Sequence, residues 1–121
     1  MIKFDHMSLP VTDPEASARW YVTHLGFKVE FEVPERRTVA LIDDPGFTIF
    51  VYEAPGPLAG VRPAFTLQVQ DVGSTYEDLV RSGLAVAIPP QQNVWGYGAE
   101  LDDPDGYRLM LWDETSMRER S

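Results

Sequence analysis

The same punctuation occurs twice along this chain. Asp13-Pro14-Glu15 opens a helical stretch that Gly26 closes, and Asp71 opens another that Gly83 closes. Aspartate before a first turn accepts from free backbone N–H groups, and proline suits the first helical position. Glycine takes the left-handed turn that ends a helix. Each helix follows one strand-like segment and precedes three. In the first half residues 2–11 (IKFDHMSLPV) alternate in part, with Phe4, Met7, Leu9 and Val11 on one face and His6 and Ser8 on the other. On the helix, Ala16, Trp20 and either Ala18 or Tyr21 form a stripe that Leu25 extends. Strands follow at 27–34, apolar at 27, 29, 31 and 33, and at 37–42. The β-branched and aromatic stretch 47–52 reads as a strand buried on both faces.

Residues 54–63 hold three prolines and two glycines and read as a linker. The order then starts again. A strand at 64–70 leads to the Asp71 helix, which runs to about Ser82 with Tyr76, Leu79 and Val80 on its stripe. A strand at 84–90 stops at Pro89-Pro90, 91–98 (QQNVWGYG) is a loop, and 97–102 and 107–112 are strands about the turn Asp103–Gly106. The tail 114–121 is polar, a frayed end or a short helix. The chain is thus one α+β domain over 1–121 with two βαβββ repeats, 2–55 and 63–113, each ~57 residues with its share of linker. One such repeat exposes a sheet edge and half a core; two together relieve both.

Composition narrows the function. There is no cysteine, which excludes a disulfide framework, a thiolate metal site and a cysteine nucleophile. The net charge of −9 repels nucleic acid and anionic membrane surfaces and attracts cationic small molecules. No basic stretch followed by an apolar one opens the chain and no apolar run approaches the ~20 residues of a membrane span, so the expected location is cytoplasmic.

The phrases DHMSLPVTDPEASARWYVTHLGF, TLQVQDVGSTYEDLVRSG and DPDGYRLMLW, in this order over residues 2 to 113, resemble the vicinal oxygen chelate superfamily of glyoxalases, bleomycin-resistance proteins and dioxygenases. The resemblance implies two curved sheets around a concave cavity, helices on the convex side, and a homodimer. It also implies four metal-ligand positions, two per repeat. Carried over one at a time, they fall on His6, Phe50, Ala64 and Met110. Three have no group suited to the family metal, so the expectation is no metal and no cofactor. Glu53 points away from Phe50 by strand alternation, the direction of Glu100 is open, and His24 belongs to the convex side.

Alternation from the same positions gives the expected ligand face: His6 and Ser8; Thr48, Phe50 and Tyr52; Thr66 and Gln68 beside Ala64; Arg108, Met110 and Trp112. Trp95 and Tyr97 join it from the 91–98 loop, Trp95 as a stacking surface. Trp20 and Tyr21 are packing residues, and Asp102, Asp103 and Asp105 serve the turn. Arg108 meets either a ligand carboxylate or an acidic neighbour. An apolar, aromatic wall with a few hydrogen-bonding groups is the composition of a ligand pocket. The expected function is therefore metal-independent binding of an aromatic natural product, cationic ones included, as in drug resistance by sequestration. The alternatives are a glyoxalase- or dioxygenase-type enzyme with a displaced metal, a metal-free isomerase using His6 as base, and an interaction module whose cavity is self-filled.

Overall fold

The computed structural model describes residues 3–58, 60 and 63–120, in two units, Met1–Gly60 and Val61–Ser121. Ile2 of the expected first strand, Ala59, Val61 and Arg62 of the linker, and Ser121 of the tail lie outside the described residues.

The first unit contains β1 (His6–Val11), α1 (Pro14–Leu25), β2 (Lys28–Val33), a 3-10 turn (Pro34–Arg36), β3 (Thr38–Ile42) and β4 (Thr48–Glu53). Its sheet runs β1-β4-β3-β2, with β1 parallel to β4 and the other pairs antiparallel. The Asp13 carboxylate accepts from the N–H groups of Glu15 and Ala16, and Gly26 closes α1 in the left-handed conformation at φ 73°. The helix lies against β3 and β4. It buries Ser17, Ala18 and Tyr21 where the sheet buries Leu9, Val11, Val39, Leu41, Ile49 and Val51. Small residues at 17 and 18 let the helix approach closely.

The second unit contains β5 (Phe65–Gln68), α2 (Val72–Arg81), β6 (Val86–Asn93), β7 (Gly96–Asp102), β8 (Arg108–Trp112) and α3 (Glu114–Arg120). Its sheet runs β5-β8-β7-β6, the same order, again with the first pair parallel. Asp71 caps α2 through the N–H groups of Gly73 and Ser74. Val72, Leu79, Ala99, Leu101, Leu109 and Leu111 are buried here. Together the units form an α+β fold of two four-stranded mixed sheets and three α-helices among the described residues. No helix among them is long and apolar enough to cross a membrane.

Several expectations need correction. Phe4 precedes β1 and is exposed, so it joins no core. Val80 is exposed on α2, and Phe47 is exposed ahead of β4, where Thr48, Ile49 and Val51 are the buried residues. The alternation in β2 is broken by a bulge between Val29 and Phe31: Val29 pairs with Leu41, and Phe31 with Ala40. Adjacent residues of β3 face opposite ways, so Val29 turns to the helix side and Phe31 to the other. Pro89-Pro90 does not stop β6, which continues to Asn93. This strand lies at the sheet edge, and the prolines fall at a register shift between Ile88 and Gln91, where a missing N–H costs no ladder bond. The expected loop 91–98 shrinks to a turn at Val94-Trp95. Of the two readings of the tail, the short helix is the one found, as α3.

Candidate functional site

In the second unit the turn Asp103–Gly106 fixes the register of the last hairpin. Asp102 stands opposite Arg108 and Glu100 opposite Met110, while Met110 pairs with Thr66 on its other side. Glu100, Met110 and Thr66 therefore share a row on the sheet face opposite the buried leucines. Over it opens a cleft of about 340 Å³ lined by Thr66, Trp95, Met110, Trp112 and Met117. Four of these five were expected from the sequence. Met117 was missed because it belongs to the tail; the Asp113-Glu114 start of α3 was the available signal.

Trp95 enters from the β6–β7 turn and folds back over β7. Its indole Nε1–H donates to Glu100 Oε2 at 2.9 Å. A Cβ on Gly98 would lie 2.4 Å from the Trp95 ring and 2.1 Å from the Leu111 carbonyl oxygen, so only glycine leaves room there. Arg108 donates to Glu100 Oε1 at 2.8 Å and to Asp102 Oδ1 at 2.6 Å. Of the two roles expected of Arg108, the structure shows the pairing with acidic neighbours of its own hairpin. The Trp95 N–H and then Arg108 hold the Glu100 carboxyl below the usual carboxylate range, against the opposing effect of burial. Tyr97 is not in the cleft lining; Arg120 of α3 sits over its ring, 4.5 Å from the centroid. Gln68 is exposed on β5.

In the first unit the residues expected on the ligand face form an aromatic ladder. The His6 ring lies flat on Phe50 (3.8 Å between centroids, 13° between planes), and Phe31 meets the other side of the cluster edge-on at 5.5 Å. Ala40 lies between Phe31 and Phe50 in register and is fully buried, small enough to let the rings meet above it. His6 Nδ1 lies 2.8 Å from Asp5 Oδ2. Thr48 is buried, Tyr52 half-buried and Ser8 exposed.

The residues do not fit a metal of the kind that the resemblance implies. Phe50 and Ala64 offer no donor atom, Met110 only a soft thioether, and the His6 ring is stacked on Phe50. Among the described residues no three His, Asp or Glu side chains are grouped to hold a metal ion.

Comparison with known proteins gives a consistent picture. The family model described as Glyoxalase/Bleomycin resistance protein/Dioxygenase superfamily matches residues 3–111. No curated protein matches the chain. A superfamily member from Sphaerobacter thermophilus is 25% identical, with a TM-score of 0.75 over 93% of this chain and 98% of that one. A possible glyoxalase from Bacillus cereus is 16% identical (TM-score 0.75, 92% and 98% covered). TnmS3, an antibiotic binding protein from a Streptomyces species, is 24% identical (TM-score 0.75, 93% and 98% covered). The last two likenesses are of fold alone.

Proposed function

The chain belongs to the glyoxalase/bleomycin resistance protein/dioxygenase superfamily, and on that premise we propose that it is a metal-independent binding protein for an aromatic natural product, cationic ones included. The observation that carries this reading is the second unit's cleft: two indoles and two thioethers around a single hydroxyl. A flat ligand gains stacking of ~0.5–1.5 kcal/mol per ring pair beyond its buried area, and a cationic one adds ~0.5–2 kcal/mol over an indole face. Thioethers adapt to irregular edges of such a ligand. The cleft volume of about 340 Å³ lies at the small end of the ~300–1,000 Å³ range for ligand pockets, which favours a compact fused-ring compound. TnmS3, of the same fold, is an antibiotic binding protein.

Tryptophan fluorescence tests the reading. Trp20 packs on Tyr21 and His24 of α1, so Trp20→Phe leaves Trp95 and Trp112 as the reporters. Planar dyes such as proflavine should quench them saturably, and at a hundredfold excess over Kd should stabilise the fold by about 2.7 kcal/mol. Trp95→Ala should weaken binding about tenfold. If no planar probe, charged or neutral, gives either quenching or a thermal shift, the reading is wrong. The contact of His6 with Asp5 favours one second reading, a metal-free isomerase with His6 as base. Under it a bound compound would return chemically altered, which mass spectrometry of the recovered probe detects.

A further inference from the structure

We propose that Glu100 is the positioning residue of this cleft, holding the Trp95 indole in its ligand-stacking orientation before any ligand arrives. The inference rests on the binding function proposed above and adds how the site is preorganised.

Trp95 follows Val94, which is fully exposed at the hairpin tip. An aromatic side chain there is ordinarily free to sample several rotamers and pays for losing them on binding. Three features remove that freedom here. The absence of a side chain at Gly98 makes a seat for the ring on β7. The indole N–H is tied to Glu100 Oε2. Rotation of that carboxylate is in turn blocked, because its other oxygen accepts from Arg108, whose guanidinium is fixed by Asp102. Glu100 is the enclosed member of the chain, with 13% of its side chain exposed against 40% for Arg108 and 45% for Asp102. The outer two anchor it from the solvent side. None of the three lies among the buried leucines, so the network shapes the cleft more than it holds the unit together.

The same residues set the sign of charge beside the ring. Two carboxylates and one guanidinium leave one negative charge, and Arg108 is committed to its partners. A flat cation or neutral molecule is admitted and a flat acid is disfavoured.

The test uses the full chain with ¹⁵N-labelled indoles. The Trp95 Nε1–H resonance is assigned by its loss in Trp95→Phe. It should lie downfield in the parent, move upfield in Glu100→Ala, and largely return in Glu100→Gln, whose amide oxygen still accepts. Proflavine affinity should fall about three- to tenfold in Glu100→Ala, the cost of ordering one free side chain, and less in Glu100→Gln. 9-Anthracenecarboxylate should bind more weakly than proflavine to the parent and gain on it in both variants. An unmoved Trp95 resonance in Glu100→Ala overturns the proposal, and so does a moved resonance with unchanged proflavine affinity. If the parent binds no planar probe, the binding function falls, while the resonance still decides whether Glu100 holds the ring.

Discussion

Asp113 joins the two helices of the second unit through one carboxylate, and its replacement by asparagine should be costly and pH-dependent. The residue is only 2% exposed. Its Oδ2 accepts from the Val72 N–H at 2.7 Å, at the start of α2, and from the Ser116 hydroxyl at 2.9 Å. Its Oδ1 accepts from the Ser116 N–H at 2.5 Å, in the first turn of α3. Asparagine has one acceptor oxygen, so Asp113→Asn turns an NH₂ group toward one of two backbone donors. A buried donor left without a partner costs ~1–3 kcal/mol. At about 4 °C per kcal/mol for a chain of this size, a loss of ~2 kcal/mol lowers Tm by about 8 °C. Burial pushes the Asp113 carboxyl up, but the Val72 and Ser116 donors outweigh it and hold it below the ordinary value. A carboxyl depressed in the fold contributes fully above its unfolded pKa of ~3.9 and loses that contribution as pH falls through the lower folded value. The Tm gap between parent and Asp113→Asn should therefore be constant from neutral pH to about pH 5 and close below about pH 4. Paired thermal melts by circular dichroism measure it. A gap under about 2 °C at pH 7, or one that stays constant in acid while both proteins still fold, refutes the reasoning.

Substitutions at two further positions test the backbone. Gly98→Ala places a methyl against the Leu111 carbonyl, which cannot move without opening the β7–β8 ladder; the expected loss is about 3 kcal/mol, and an unchanged urea midpoint would contradict the packing described. Arg37 caps the 3-10 turn in the left-handed conformation, at φ 47°, where its guanidinium pairs with Glu15 and Glu53. Arg37→Gly should melt higher than Arg37→Ala, since both lose the ion pairs and glycine alone relieves the backbone. Equal melting temperatures would show that this conformation costs nothing.

The helices were legible because their signals are local. Asp13, Asp71, Gly26 and Gly83 act on neighbours within a turn, and their chemistry is the same wherever the helix packs. The strands were legible as segments but not always as faces. In β2 the apolar residues at 29 and 31 keep perfect spacing in sequence, yet a bulge places them on opposite sides. Nothing in KVEFEV announces the extra residue; the register against β3 creates it. Pro89-Pro90 misled for a related reason. Proline is a stop where its missing N–H would have been paired, and β6 is an edge strand whose pairing shifts there. That information belongs to the sheet order.

The cleft follows the same division. Thr66, Met110 and Trp112 follow from alternation counted from the positions that the family resemblance supplies, and Trp95 from its turn, because each depends on one strand or one hairpin. Met117 needed a judgement on whether the polar tail folds, which the Asp113 cap decides from inside the unit. Glu100 was derivable only with the right register: Asp103 pairs with Tyr107, which sets Glu100 opposite Met110, whereas counting from a four-residue turn Asp103–Gly106 would set it opposite Leu109. Its importance was not, since it arises from the fold of Trp95 back across Gly98. This changes what the net charge of −9 means. Spread over the surface, it is screened beyond ~8–10 Å at ordinary salt and steers encounter more than it holds a ligand. The single negative charge left by Glu100, Arg108 and Asp102 stands beside the Trp95 ring, which is one of the residues that line the cleft. If the chain binds flat ligands as proposed, discrimination between a flat cation and a flat acid should survive high salt better than the association rate does, because the proposed discriminating charge lies beside the Trp95 ring.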